Sequence, residues 1–239
     1  MANYRGKRAF DLLVSVPLLI LTLPLQAVVA VVVARSLGRP VIFRQLRPGQ
    51  YGAPFQILKF RTMLPVDPTR GWIDDETRIT HVGKILRQTS LDELPSLWNI
   101  LRGEMSVVGP RPLRMQYLDR YTPEQFRRHD VRPGITGLAQ VSGRNGISWK
   151  KKFEFDVEYV RRSSIWFDIR ILALTVLTVL KREGISAPGR ATMSEFTADD
   201  PEANDARRPL TTNFIGPYGP PRKDALGVGD TMTTLGRGG

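Results

Sequence analysis

The sequence predicts an α+β fold, a mostly helical globular domain with a short β-hairpin, anchored to a membrane by an N-terminal re-entrant helix and interfacial amphipathic helices. Three observations support this prediction. An uncharged apolar segment lies near the N-terminus, two short alternating segments flank a turn, and later segments carry apolar residues at helical spacing. We divide the 239 residues into a membrane helix at 1–40, a globular domain at 41–195 and a disordered or loosely packed tail at 196–239.

The apolar segment covers residues 12–34, and none of them is charged. A helix of that length measures about 35 Å, against about 30 Å for the hydrocarbon core of a bilayer. Arginines and lysines stand on both sides of it, although positive charge collects on the cytoplasmic side of a membrane. Pro17 and Pro24 each remove a helical hydrogen bond. We therefore expect a bent helix that returns to the face it entered, rather than a simple span or a cleaved signal peptide.

The next segments predict a hairpin followed by helices. Residues 41–47 and 55–61 alternate apolar and polar side chains around a turn rich in proline and glycine. A polar loop at 64–77 precedes a helical stretch at 82–87. Ser90 and Glu93 have the spacing of a capping box, which predicts that a helix begins at Ser90.

Two later segments, 107–112 and 132–137, contain prolines and glycines that predict ordered loops without regular structure. Residues 149–162 have the pattern of an amphipathic helix. Residues 165–180 are strongly apolar but too short to span a membrane comfortably, so we expect an interfacial or core helix there.

The composition excludes several classes of site. The chain has no cysteine, which rules out disulfides, thiolate metal sites and cysteine nucleophiles, and its two histidines are too few for a histidine-based zinc site. Signatures of P-loop proteins, of dinucleotide-binding folds and of serine hydrolases are missing. The formal net charge of +12 indicates an anionic partner, which could be nucleic acid, anionic lipid or a phosphorylated substrate.

Asp92 and Glu93 are the leading candidates for chemistry. In the first turn of a helix, free backbone amides and the helix dipole favour ionised carboxylates. An ionised Asp92 could act as a nucleophile or bind a divalent cation. The local alternative is structural, because acidic residues are common in first turns and Glu93 could simply complete a helix cap.

Basic residues at element ends and in rigid loops favour the chemical interpretation, because arginine forks match phosphate oxygens. The candidate phosphate-binding residues are Lys59, Arg61, Arg87, Arg111 and Arg144. Asp156 lies on the apolar stripe of the 149–162 helix and needs a partner, either a cation or a metal. The structural candidate is Lys152, four residues earlier. Asp168 could instead be the N-cap of the last apolar helix.

These motifs, taken together, resemble the bacterial sugar transferases of the monotopic phosphoglycosyl transferase superfamily, in a small form limited to the catalytic core. The matching segments run in the family's order over residues 7–195 and are KRAFD, VIFRQLRPG, FQILKFRTM, GKILRQTSLDELPSLWNILRGEMSVVGPRP, VRPGITGLAQVSGRN and SWKKKFEFDVEYV. The chain departs from the family at Leu23-Pro24, where members commonly have Ser-Pro. Thr22 or Pro17 could compensate at this helix break.

The resemblance implies an enzyme of the bacterial inner membrane with its active site on the cytoplasmic face, acting at the first membrane step of glycan assembly. It implies that Asp92 attacks a UDP-sugar, releases UMP and carries a phosphosugar that passes to polyprenyl phosphate, in most members undecaprenyl phosphate. Glu93 would complete the Asp-Glu pair, and Mg²⁺ would bind at Asp92. Residues at matching positions around the site are Arg87, Arg111, Arg144, Asp156 and Asp168.

The expected partners are therefore a UDP-sugar, polyprenyl phosphate and membrane lipids, without nucleic acid. One alternative is a non-catalytic basic protein of the membrane surface that binds lipid or nucleic acid. Another is a hydrolase or nucleotidyl transferase on the same lipid substrates. A labelled protein adduct separates the transferase from the hydrolase, and loss of turnover in Asp92→Asn separates it from the non-catalytic protein.

Overall fold

The computed structural model describes residues 4–143, 146–181 and 195–197. These residues are mostly helical with a small amount of sheet. The helices are α1 Lys7–Leu37, α2 Asp75–Arg78, α3 His81–Gln88, α4 Ser96–Arg102, α5 Pro123–Phe126, α6 Leu138–Val141, α7 Trp149–Arg162 and α8 Ile165–Lys181. The strands are β1 Ile42–Pro48, β2 Pro54–Phe60, β3 Ser106–Val108 and β4 Gly134–Thr136. The tail predicted at 196–239 lies outside the described residues except for 196 and 197.

Helix α1 is 31 residues long and continues through both prolines. By length and composition it could cross a membrane. The Thr22 hydroxyl donates a hydrogen bond of 2.7 Å to the Leu18 carbonyl, and it accepts one from Gln26 at 3.1 Å. A polar contact inside the helix therefore lies beside Pro24, where the sequence suggested that Thr22 could compensate for the missing serine.

Both ends of α1 contact the globular domain. Near its start, the Arg8 guanidinium donates to the carbonyls of Ile100 and Leu101 at the end of α4. Near its end, Val33 and Leu37 pack in the same apolar cluster as Phe60 and Leu86. The outer side of α1 carries exposed apolar side chains at Leu13, Val16, Leu18, Ile20, Leu21, Leu23, Leu25, Val28, Val31 and Val32.

Strands β1 and β2 form the predicted antiparallel hairpin, within one residue of the predicted bounds. Phe43 is paired with Lys59, and Gln45 with Ile57. Directly opposed residues project from the same face of a sheet. Lys59 and Gln45 therefore lie on one face of the hairpin.

Strands β3 and β4 form a parallel pair, so the prediction that both segments lack regular structure was wrong. Pro110 and Pro112 come after β3, and Pro133 comes before β4, so none of them interrupts the pairing. The close approach of the two segments requires glycine, because a β-carbon on Gly134 would lie 2.1 Å from the Gly109 amide nitrogen. This pairing fixes the start of the loop that follows β3.

Helices α7 and α8 confirm the predicted helical segments. Ile171 of α8 and Tyr159 of α7 are buried in the main core together with Ile100, Met105 and Val108. A second cluster is aromatic and contains Leu113, Tyr117, Tyr121, Trp149, Phe153 and Phe196. The outer surface of α8 exposes Ile165, Trp166, Ile169, Leu174, Val176 and Leu177.

Candidate active site

A cavity of about 840 Å³ lies between the hairpin, the end of α3 and the β3–β4 pair, and it extends to α6, α7 and α8. Its wall carries eight basic side chains and four acidic ones. The excess of positive charge suits an anionic ligand. Seven predicted site residues line this cavity: Lys59, Arg61, Arg87, Asp92, Glu93, Arg111 and Asp156.

Asp92 and Glu93 lie in a short 3-10 turn that precedes α4. The predicted capping box at Ser90 was wrong. Ser90 has a left-handed backbone with φ +58°, its side chain makes no capping hydrogen bond, and α4 begins only at Ser96. The turn presents both acidic residues to the cavity.

The Glu93 carboxylate is held by two cations. Its Oε1 atom lies 2.6 Å from Lys59 Nζ and 2.6 Å from Arg111 Nη2. Burial alone would raise the pKa of Glu93, but the charges and hydrogen bonds of Arg111 and Lys59 outweigh burial and hold that pKa well below its ordinary range. Glu93 is therefore ionised and fixed, which explains why its side chain is not available as a cap.

The Asp92 carboxylate is 8% exposed and accepts no hydrogen bond from any residue that the structure describes. Burial, with the nearby negative charge of Glu93, raises the pKa of Asp92 to about 6, although the charges of Lys59, Arg111 and Arg87 act in the opposite direction. A carboxylate without hydrogen-bond donors is poorly stabilised and available to react. This geometry fits a nucleophile or a metal ligand.

Two predicted phosphate-binding arginines face the cavity in different ways. Arg87 donates from Nε to the Thr62 hydroxyl at 3.1 Å, and its charge acts on Asp92. Arg61 lines the cavity, but its guanidinium donates to the carbonyls of Leu37 and Gly38 at the end of α1. Arg61 thus caps the C-terminal end of α1.

Asp156 is buried and paired with Arg128, whose Nη2 lies 2.7 Å from Asp156 Oδ2. The sequence suggested a cation or a metal as the partner, with Lys152 as the structural candidate. Arg128 was overlooked because it lies 28 residues away in sequence. Asp156 therefore stabilises the cavity wall through an internal ion pair.

The remaining predicted site residues are not brought to the cavity among the described residues. Asp168 binds Lys7 Nζ at 2.6 Å and the hydroxyls of Tyr4 and Tyr159. It is not the N-cap of α8, because α8 begins at Ile165 and the Ser164 hydroxyl accepts from the Phe167 amide. Asp168 instead links the start of α1 to the domain. Arg144 lies outside the described residues.

Arg47 and Arg114 also line the cavity, although neither was predicted from the sequence. The signal for Arg47 was present in the strand pattern, because Phe43, Gln45 and Arg47 alternate along β1 and all three face the cavity. Arg114 follows the rigid loop after β3, and its position depends on the β3–β4 pairing. No local pattern indicates that pairing.

A magnesium ion fits this site only with help from a substrate. No group of three or more histidine or acidic side chains suited to a metal occurs within the described ranges. Glu93 is occupied by Lys59 and Arg111, which leaves Asp92 as the available carboxylate. Mg²⁺ is commonly held by one or two carboxylates, water and substrate phosphates, so the residues present fit a substrate-borne ion.

Comparison with known proteins shows which family this chain resembles. The family model for bacterial sugar transferases matches residues 2–182. A Bacillus subtilis protein named as an uncharacterized sugar transferase, EpsL, is 50% identical over 192 residues, which are 80% of this chain and 95% of that protein. A Caulobacter vibrioides UDP-glucose:undecaprenyl-phosphate glucose-1-phosphate transferase is 41% identical over 73% of this chain and 69% of its own length.

An Escherichia coli protein with the same enzyme name is 42% identical over 181 residues, which are 71% of this chain. The match covers 39% of that protein, so the chain spans about two fifths of its length. The family match extends over most of the residues described here, including α1 and the whole cavity. The chain belongs to the bacterial sugar transferase family.

Proposed function

We propose that this protein transfers a sugar-1-phosphate from a UDP-sugar to a polyprenyl phosphate such as undecaprenyl phosphate, through a covalent phosphosugar on Asp92. One observation carries the proposal. The Asp92 carboxylate faces a cation-lined cavity without any hydrogen-bond donor among the described residues, next to a Glu93 that is fixed by Lys59 and Arg111. The names of the relatives supply the substrate class.

In the first half-reaction, an Asp92 oxygen attacks the phosphorus that carries the sugar. The bond from that phosphorus to the bridging oxygen of the diphosphate breaks, and UMP leaves with the electron pair. Lys59, Arg87 and Arg111 surround Asp92 with positive charge that offsets the negative charge of the reacting phosphates. Phosphoryl transfer depends mainly on such positioning and charge stabilisation.

In the second half-reaction, an oxygen of polyprenyl phosphate attacks the same phosphorus. The bond to Asp92 breaks, the carboxylate returns to its ionised form, and a polyprenyl diphosphosugar is released. Glu93 keeps Lys59 and Arg111 in place through both steps, because its Oε1 atom binds both cations. Its low pKa argues against a role as a proton donor.

We propose that Asp92 would hold Mg²⁺ when the substrate is bound. When bound there, the ion would neutralise phosphate charge during transfer. Asp92 is the residue of this chain that would hold it, since the carboxylate of Glu93 is already bound by two cations.

The membrane arrangement follows from α1. Both of its ends contact one globular domain, whereas a straight span would separate its ends by the thickness of the bilayer. This supports a re-entrant helix, and we propose that it enters the inner membrane from the cytoplasmic face. The exposed apolar surface of α8 would lie at the membrane interface, which brings the cavity within reach of a lipid phosphate.

A UMP-release assay with a panel of UDP-sugars and polyprenyl phosphate tests the proposed reaction, with and without magnesium. We expect release that requires both Mg²⁺ and Asp92, and one sugar that is preferred over the others. Asp92→Asn should abolish release. Free sugar phosphate without a lipid product would indicate a hydrolase, and lipid binding without any turnover would indicate a non-catalytic protein.

A further inference from the structure

Four arginines on the cavity wall form no ion pair with a carboxylate in the described part of the chain: Arg47, Arg61, Arg87 and Arg114. Of these, Arg61 donates to the carbonyls of Leu37 and Gly38, and Arg87 donates to the Thr62 hydroxyl. Arg47, near the end of β1, donates from Nη2 to Gln45 Oε1 at 2.6 Å, and its Nε atom is buried without a partner there. Arg114 lines the cavity and forms no ion pair within the described ranges, although its charge acts on the Glu195 carboxylate. Lys59 and Arg111, by contrast, are both bound by the Glu93 carboxylate.

The surroundings of Arg47 are electrostatically unfavourable without an anion. Burial, followed by the charges of Arg111 and Arg114, lowers the pKa of Arg47 to about 10. A partly buried charge normally has a partner, because desolvation is costly. Arg47 and Arg111 also line a second, smaller cavity of about 90 Å³, which shares Lys59 and Glu93 with the main one. A bound anion would supply the partner that the protein does not provide.

We propose that Arg47 and Arg114 form a phosphate-monoester subsite, separate from Asp92 and Glu93, that serves both halves of the reaction. It holds the phosphate of the leaving UMP first and the phosphate of the polyprenyl acceptor afterwards. This inference rests on the proposed function. Guanidinium groups bind phosphate oxygens bidentately, so two of them can orient a phosphate as well as hold it.

The chemistry explains why one subsite can serve two ligands. In transfer at phosphorus, the attacking and leaving oxygens lie roughly in line on opposite sides of the phosphorus atom. When Asp92 attacks, the oxygen of UMP must lie opposite to it. When Asp92 leaves, the oxygen of polyprenyl phosphate must occupy that same side. The two phosphates therefore need the same place in turn and cannot bind together.

The residues around the cavity allow a nucleotide and a prenyl chain to reach it from different sides. Thr175 of α8 lines it, and its hydroxyl lies 2.7 Å from that of Thr136 in β4. The same helix exposes Leu174, Val176 and Leu177 on its outer surface. A prenyl chain lying along α8 could thus place its phosphate in the cavity, while a nucleotide approaches from the polar side.

Binding to a non-reacting protein tests the subsite. Full-length Asp92→Asn protein in neutral detergent is titrated with UMP and with farnesyl phosphate, and separately with uridine and farnesol, which lack the phosphate. Adding Arg47→Gln or Arg114→Gln should weaken the binding of UMP and of farnesyl phosphate alike, raising each Kd by about tenfold or more. That is the scale of one lost charge-assisted hydrogen bond. UMP should also displace farnesyl phosphate competitively.

Arg44→Gln in the same background is the matched control, because Arg44 is an exposed arginine of the same strand that does not line the cavity. It should leave the affinities for all four ligands unchanged. Three results would each overturn the shared subsite. The arginine variants could weaken the binding of only one phosphate ligand, they could weaken the binding of neither, or UMP and farnesyl phosphate could bind simultaneously. A wild-type protein that released no UMP would instead overturn the proposed reaction, so the two failures are distinguishable.

Discussion

Lys59 Nζ lies 2.6 Å from Glu93 Oε1, and both side chains are mostly shielded from solvent, at 19% and 16% exposed. Arg111 reaches the same oxygen at the same distance. Glu93 therefore organises two cations beside Asp92 while remaining ionised itself. The charge state of Asp92 depends on these neighbouring charges, so the arrangement can be tested by measuring how the reaction depends on pH.

The pH dependence of the first half-reaction follows from the Asp92 pKa. Asp92 must be ionised to attack, and burial raises its pKa to about 6. We expect the single-turnover rate of UMP release to fall as the pH decreases through about 6, with a midpoint that moves to lower pH as magnesium is raised, because a bound cation favours the carboxylate. A rate that stays constant down to pH 4.5 would contradict this assignment.

Glu93→Gln should change both the rate and the pH midpoint. The negative charge of Glu93 raises the pKa of Asp92, so its removal lowers that pKa and moves the midpoint to more acidic values. The maximal rate should fall by about tenfold or more, because Lys59 and Arg111 lose their common anchor. The pH–rate profile measures both effects.

Glu154→Gln is the control for that experiment, since Glu154 forms an exposed pair with Lys151 at 3.1 Å. It should leave the rate and the midpoint unchanged. An unaltered midpoint in Glu93→Gln would show that the two carboxylates do not influence each other.

Asp92→Asn should stabilise the folded protein at alkaline pH. The pKa of Asp92 is above its ordinary value of 3.8, so protonation favours the folded state. That contribution is complete below pH 3.8 and is lost as the pH rises through about 6. Above pH 6 the neutral asparagine should therefore be more stable by up to about 3 kcal/mol.

Thermal unfolding of wild type and Asp92→Asn at pH 8 and pH 4, without magnesium, measures this difference. The Tm advantage of the variant should be present at pH 8 and should shrink at pH 4. An advantage of equal size at both values would have to come from something other than ionisation of Asp92.

The buried ion pair between Arg128 and Asp156 should dominate the stability of the cavity wall. Both side chains are about 1–2% exposed, and loss of one partner leaves a buried charge. We expect Arg128→Met to lower the free energy of unfolding by about 3–5 kcal/mol. Chemical denaturation in detergent is a suitable measurement.

Arg127→Met provides the neighbouring comparison, because Arg127 pairs with Glu124 on the surface. An exposed pair contributes about 1 kcal/mol or less. Similar losses for the two variants would argue against a structural role for the buried pair.

Local sequence patterns predicted the elements whose periodicity is local. The alternation around residues 48–54 predicted the hairpin, and the apolar stripe of 149–162 predicted α7 with its observed bounds. The β3–β4 pair was missed because parallel pairing joins distant segments, and the prolines beside it suggested loops. Local rules describe the turn residues but not their long-range partners.

The sequence allowed most residues of the candidate site to be named. It did not allow the contacts between them to be predicted. Asp92, Glu93, Lys59 and Arg111 were each singled out, but the bonding of Glu93 to two cations depends on the fold. The local capping rule favoured a different partner for Glu93. Asp168 was assigned to the site by resemblance, whereas the structure uses it to hold Lys7 and the start of α1.

Intact-protein mass spectrometry after incubation with a UDP-sugar and magnesium, without lipid acceptor, tests the central claim most directly. We predict a mass increase equal to one phosphosugar, located by proteolysis on Asp92, removed by added polyprenyl phosphate and missing in Asp92→Asn. An enzyme that turns over but carries its adduct on another residue, or forms none, would contradict the claim.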